Sequence, residues 1–118
     1  MYEDVAAALL GAEVEQVWVW RSLRLVFDLN GTYVDVTNFL FTDSRGIAHQ
    51  VSVEDDPEAA APVLGVLHHR VTSAEIVDWE LRLVFDNAAR LVCPPDPRYE
   101  AWSLARAGQS TLDCPPSR

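Results

Sequence analysis

Apolar and polar positions alternate through Leu23-Arg24-Leu25-Val26-Phe27-Asp28, and the same six letters return as Leu81-Arg82-Leu83-Val84-Phe85-Asp86. A period of two belongs to an extended segment with one buried face. Each copy therefore predicts a half-buried strand, with Leu23, Leu25 and Phe27, or Leu81, Leu83 and Phe85, turned to the core. The flanks correspond too: Val14, Val17 and Val19 match Val71, Ala74 and Ile76 at a spacing of 57, while the hexamers are spaced by 58. One residue has been inserted between flank and hexamer, where Arg21-Ser22 becomes Asp78-Trp79-Glu80. Insertions are tolerated best at turns, so the slip marks a hairpin turn in each copy. Six identities with matched flanks point to an internal duplication.

The remaining pattern fills in around these copies. Residues 2 to 10 carry acidic residues first and good helix formers after, with Gly11 where a helix would stop, which predicts a short N-terminal helix. From Glu13 to Arg21, alternation places Val14, Gln16, Trp18 and Trp20 on one face and Glu13, Glu15, Val17, Val19 and Arg21 on the other. Both faces are partly apolar, as in a strand that is covered twice or meets a partner. Asn30-Gly31 is a strong hairpin signal, because both residues tolerate positive φ. A long strand from Thr32 to about Thr42, bending near Thr37-Asn38, follows. After the turn Asp43-Ser44-Arg45-Gly46 comes a strand from Ile47 to Val53. Asp56 and Pro57 then suit the cap and first turn of a linking helix at about 56–67. The second copy begins near Val71, with Asn87-Ala88-Ala89 where Asn30-Gly31 stood. Leu91-Val92-Cys93 runs into Pro94-Pro95-Asp96-Pro97, Tyr99 to Leu104 alternates once more, and Gly108 breaks it. The fold class is α+β and mostly antiparallel: two related β-meanders forming a roll or sandwich in one domain over 1–118. Repeat 1 covers about 10–53, repeat 2 about 67–108, and 109–118 is an irregular tail.

Composition narrows the function classes. The chain of 118 residues is 49% hydrophobic, which suits one buried core, and no apolar run approaches the ~20 residues that span a bilayer. Met1-Tyr2-Glu3-Asp4 has the wrong charge for a secretory leader, so the expected compartment is the cytoplasm. A net charge of −9 and a pI near 4.5 argue against nucleic acid or an anionic membrane as partner. All nine basic residues are arginine; with no lysine, Schiff-base chemistry and the phosphate-loop and kinase lysines are excluded. The missing lysine also suits a GC-rich bacterial genome.

Candidate chemistry is sparse. Cys93 and Cys114, each followed by two prolines, lack metal-ligand spacing and read as free thiols. Adjacent His68 and His69 diverge, and His49, even with Glu54 or Asp56 nearby, makes a poor metal site. No serine sits in a Gly-x-Ser-x-Gly elbow. No catalytic residue, metal or cofactor is expected. The acidic run Glu54-Asp55-Asp56-Pro57-Glu58 reads first as a helix start and second as a docking surface. Core packing accounts for most aromatic residues, but Trp and Tyr at an interface contribute much of its binding energy. Candidate partner-binding residues are Glu54, Asp55, Asp56, Glu58, Trp18, Trp20, Tyr99, Glu100 and Trp102.

Two repeats of Val-x-x-Val followed by Leu-x-Leu-Val-Phe-Asp, then a proline break and Tyr99-Glu100-Ala101-Trp102 before Leu104, resemble a family of small acidic actinobacterial proteins of uncharacterised function. The resemblance runs from Leu10 to about Gly108; beyond it, the Cys-Pro-Pro end departs from the glycine-rich hairpin of that family. In size, acidity and lack of chemistry the family is similar to immunity proteins of bacterial polymorphic toxins. The resemblance implies a non-enzymatic inhibitor that occludes the active cleft of a basic toxin domain. The alternative is a homo-oligomeric structural or small-ligand-binding module, with a homodimer as its partner state.

Overall fold

The computed structural model describes residues 2–116; Met1, Ser117 and Arg118 lie outside the described residues. The protein is mostly antiparallel β, two five-stranded sheets with few short helices. A helix, Tyr2–Ala7 (α1), ends in a turn that reaches Gly11 at φ +80°. Strands β1 (Val14–Val19), β2 (Leu23–Phe27) and β3 (Tyr33–Val36) form a meander, and β4 (Asn38–Thr42) with β5 (Ala48–Ser52) form a hairpin. After the 3₁₀ helix Pro57–Val66 the plan repeats: β6 (Val71–Val77), β7 (Glu80–Phe85) and β8 (Arg90–Cys93), then β9 (Trp102–Ala105) and β10 (Leu112–Asp113).

The sheet orders are β1-β2-β3-β9-β10 and β6-β7-β8-β4-β5. Each meander is thus completed by the hairpin that follows the other meander in the chain. The registers agree position by position. Val14 pairs with Phe27 and Val71 with Phe85, and both pairs of strands slip at the next step, between Val14 and Gln16 and between Val71 and Ser73. Leu25 faces Val34 as Leu83 faces Leu91. Asp35 faces Ser103 as Val92 faces Leu40. At one corner the sheets are stitched by a matched set of main-chain bonds: Val14 N–H to His69 O (2.9 Å), Val71 N–H to Ala12 O (3.0 Å), Gly11 N–H to Val71 O (2.8 Å) and His68 N–H to Val14 O (2.8 Å).

One core lies between the inner faces. The hexamers supply Leu23, Leu25, Phe27, Leu81, Leu83 and Phe85 to it, as their alternation predicts. Leu91 comes from the third strand of the second meander, and Phe39, Phe41, Trp102 and Leu104 come from the exchanged part of each sheet. Burying such a side chain stabilises the fold by about 1.5–3 kcal/mol.

Several expectations need correction. Simple alternation in β1 placed Val14 with the tryptophans, but the bulge adds one residue, so Val14 and Val17 both face the core while Gln16 and Trp18 face out. The strand expected at 32–42 breaks at Thr37, and its second part crosses to the other sheet. The linking helix is 3₁₀, and Asp56 makes no side-chain cap bond although Pro57 does open it. Tyr99 and Glu100 precede β9 rather than lying in it. The segment expected to be an irregular tail contains β10 and the fully buried Cys114. The inserted residue between β6 and β7 makes a two-residue turn in which Asp78 (φ +50°) and Trp79 (φ +63°) both take positive φ, the signature of a type I′ hairpin.

Candidate functional site

Alternation in β2 that buries Leu23, Leu25 and Phe27 necessarily turns Arg24 and Val26 outward. Arg24 pairs across to Trp18 on β1 and Asp35 on β3, so strand register alone brings these side chains together. The Arg24 guanidinium lies 3.7 Å from the Tyr33 ring centroid, 5.1 Å from Trp20 and 5.5 Å from Trp18. It also donates two bonds to Asp35, Nε to Oδ1 at 2.7 Å and Nη2 to Oδ2 at 2.9 Å, the fork geometry that a carboxylate matches. That bond to Asp35 raises the already high Arg24 pKa, with burial opposing it. Trp18 Nε1 donates to Gln16 Oε1 at 2.6 Å. Trp18 and Trp20 remain 46% and 47% exposed, so the cation orders their rings without covering them.

Beyond Asp35 the face descends into a shallow acidic groove of about 190 Å³, lined by Ser22, Asp35, Glu100, Ser103 and Asp113. Ser103 Oγ donates to Asp113 Oδ1 at 2.5 Å. The outer face of the second sheet has no such surface. Arg82 holds the place of Arg24, but Glu75, Val77, Arg90 and Val92 stand where the first sheet has Trp18, Trp20, Tyr33 and Asp35. Arg82 instead donates to Glu80 at 2.6 Å.

The sequence-based candidates are thus divided. Trp18 and Trp20 lie on the exposed face, and Glu100 in its groove. Trp102 borders the floor of that groove but is 1% exposed, its ring tilted 37° against Trp79 with centroids 6.2 Å apart and its indole N–H donating to Trp79 O at 2.8 Å, so it is core rather than contact surface. Tyr99 is half-buried, its hydroxyl bonded to Asn38 Nδ2, and burial raises its pKa. Glu54, Asp55, Asp56 and Glu58 are exposed at the end of β5, at the margin of the second sheet, where Asp55 accepts a bond from Ser52 at 3.0 Å. Arg24, Tyr33, Asp35 and Asp113 were missed. The signal for the first three was available, since pairing the predicted hairpins places Arg24 between Trp18 and the outward positions of the next strand.

The nucleophile and metal candidates are occupied otherwise. Cys93 is buried, its thiol pushed up to about 12 by desolvation, and it donates to Asn38 O at 3.3 Å and Ala101 O at 3.4 Å. Both cysteines are free. His49 faces Asp43 at 3.0 Å rather than Glu54 or Asp56, His69 faces Asp86 at 2.6 Å, and His68 lies 3.8 Å from Glu13. Each of the first two holds its aspartate below the usual carboxylate range. Among the described residues, no group of three or more His, Cys, Asp or Glu is placed to share a metal ion, and no helix is long and apolar enough to cross a membrane.

A model of the family of unknown function DUF6188 matches residues 5–117, which takes in both meanders and both hairpins. The chain belongs to that family. The match extends through the C-terminal segment that had looked divergent, as the burial of Cys114 and the pairing of β10 would require of a shared fold. No curated protein and no solved structure matches this DUF6188 chain.

Proposed function

We propose that the protein is a non-enzymatic binding domain of the immunity type, which neutralises a bacterial toxin domain by covering its active cleft. The observation that carries this reading is the asymmetry of two outer faces with matching strand register. Only the first has two half-exposed tryptophans ordered around an arginine and bordered by an acidic groove. Trp, Tyr and Arg contribute most of the binding energy at protein interfaces, and aromatic rings held in place lose little freedom on binding. The acidic groove and the net charge of −9 favour a basic partner and speed its approach. Glu54, Asp55, Asp56 and Glu58, at the margin of the other sheet, add to that long-range field rather than to the contact.

The same reading accounts for the architecture. A duplicated five-strand unit, with its last two strands exchanged so that the sheets close as a sandwich, supplies two similar faces. One carries charged and aliphatic side chains, Glu75, Arg82 and Arg90 with Val77 and Val92, while the other is free to become a partner surface.

The test is recovery of the tagged protein from a lysate of its source cells, at low and then moderate salt. A stoichiometric basic protein should be retained, weaken as salt rises, and be lost from a Trp18→Ala/Trp20→Ala variant of unchanged melting temperature. Co-expression should protect cells from that partner. Recovery of the protein alone, or equal retention by the variant, would end the proposal.

A further inference from the structure

A second candidate site lies where three turns meet at the end of the first sheet, away from the aromatic face. It is an open cavity of about 360 Å³ whose lining includes Ala8, Leu29, Asn30, Thr32, Arg106 and Gln109. Its size is at the lower end of the roughly 300–1,000 Å³ of small-molecule sites. The lining is mainly apolar except for one cation, one hydroxyl and two amides.

The molecule contains its own control. At the matching end of the second sheet, a cavity of about 270 Å³ is lined by Asp43, Ser44, Arg45, His49, Pro62 and Gly65. Asp43 follows β4 as Arg106 follows β9, and the two turns carry the same main-chain bond, Gly46 N–H to Asp43 O and Gln109 N–H to Arg106 O. Asn87 corresponds to Asn30, and Gly65 precedes β6 by as many residues as Ala8 precedes β1. Around the second cavity the polar groups that correspond to those of the first are spent internally, while the Arg45 side chain is open to solvent. Asp43 accepts from the amides of Arg45 and Ile47 and faces His49, and Asn87 bonds to Gly65 O and to the Ala89 amide.

In the first cavity the equivalent groups are unspent. Arg106 Nε is buried with no hydrogen-bond partner, and among the described residues its guanidinium forms no ion pair in a chain with twice as many acids as bases. Thr32 is 5% exposed, the one buried polar residue among those described, and its hydroxyl makes no hydrogen bond among them, while the Asn30 side chain is open to solvent. Buried polar groups are ordinarily satisfied, and a buried guanidinium atom without a partner is the costliest kind to leave.

We infer that this cavity binds a small organic monocarboxylate, its carboxylate held by the Arg106 guanidinium and the Thr32 hydroxyl and its apolar body resting on Ala8, Leu29 and Ala107. The planar guanidinium fork matches a carboxylate, and the apolar walls require a hydrocarbon part that inorganic anions lack. The negative field of the protein works against a dianion and so selects a monoanion. The site does not depend on the partner-binding reading and stands or falls separately.

Titration of the ¹⁵N-labelled full chain with benzoate at fixed ionic strength, followed by amide NMR, tests the site. Saturable shifts are expected at Thr32, Ala107 and Gln109 and not at Asp43, Ser44 or Gly46. Arg106→Gln should weaken binding at least tenfold and Thr32→Val severalfold, while Asp43→Asn leaves it unchanged. Arg106→Lys, which keeps the charge and loses the fork, should fall between and serves if Arg106→Gln does not fold. Absence of saturable shifts, equal binding by the Arg106 variants, or inorganic phosphate binding as tightly as benzoate would each overturn the assignment.

Discussion

Ala88 takes φ +71° and His68 φ +69°, where the first half of the chain has Gly31 at +77° and Gly11 at +80°. A side chain with a Cβ in this left-handed region costs about 1–2 kcal/mol, more than the roughly 0.4–1 kcal/mol by which glycine loosens the unfolded chain. Ala88→Gly should therefore raise the melting temperature by a few degrees; an unchanged or lower value would mean that this turn carries no strain. Cys93 is informative in the same way, because its counterpart in the first sheet is the buried Val36. Its thiol is held neutral up to about 12 against an ordinary value of 9.0. A raised pKa means that the folded state holds the proton more tightly. The associated stability is complete below the unfolded value and is lost as pH rises through that window, by at most about 1.4 kcal/mol per pH unit. Cys93→Val should fold, cost about 1 kcal/mol or less near neutrality, and flatten the decline in urea midpoint between about pH 9 and 11. A decline as steep as that of the unaltered chain would locate the alkaline sensitivity elsewhere.

At the scale of elements, the strands follow from local rules and their partners do not. Alternation and turn chemistry are short-range, so β2, β7 and a hairpin between β2 and β3 were legible in the sequence, although of Asn30-Gly31 only Gly31 takes positive φ and the loop is longer than the two-residue turn expected. The bulges were not, because an added residue in an edge strand changes no letter in a way that distinguishes it from plain alternation. The break at Thr37 and the sheet membership of β4 and β9 depend on strands far away along the chain. The C-terminal segment shows the consequence. Its composition suggests a loose end, yet β10 pairs with β9, and Cys114 lies under Trp79 O, to which it donates at 3.5 Å. Ending the chain after Ser110 removes the buried Cys114 and half-buried Leu112 and should cost about 2–4 kcal/mol, read as a lower urea midpoint. An unaltered midpoint would return this segment to the status of a tail.

At the scale of the molecule, neither half holds a complete sheet, since β4-β5 finish the second and β9-β10 the first. Fragments 1–54 and 55–118, expressed separately, should therefore be unfolded or self-associated, and should regain native far-ultraviolet circular dichroism when mixed. A well-dispersed monomeric spectrum from either fragment alone would contradict the exchanged arrangement. The sequence by itself determined most of the strands, the repeated hexamer, where the chain turns back and the acidity, because these reside in neighbouring residues and in the sum of charges. Only the tertiary structure decided the rest. Cross-strand register gathered Trp18, Trp20, Arg24, Tyr33 and Asp35 on one face, strand exchange buried Trp102 and Cys114, and the meeting of three distant turns left Arg106 and Thr32 unpartnered in a cavity. The first lay within reach of hairpin pairing once the register was known; the other two are contacts between segments whose separation along the chain exceeds the reach of any local pattern.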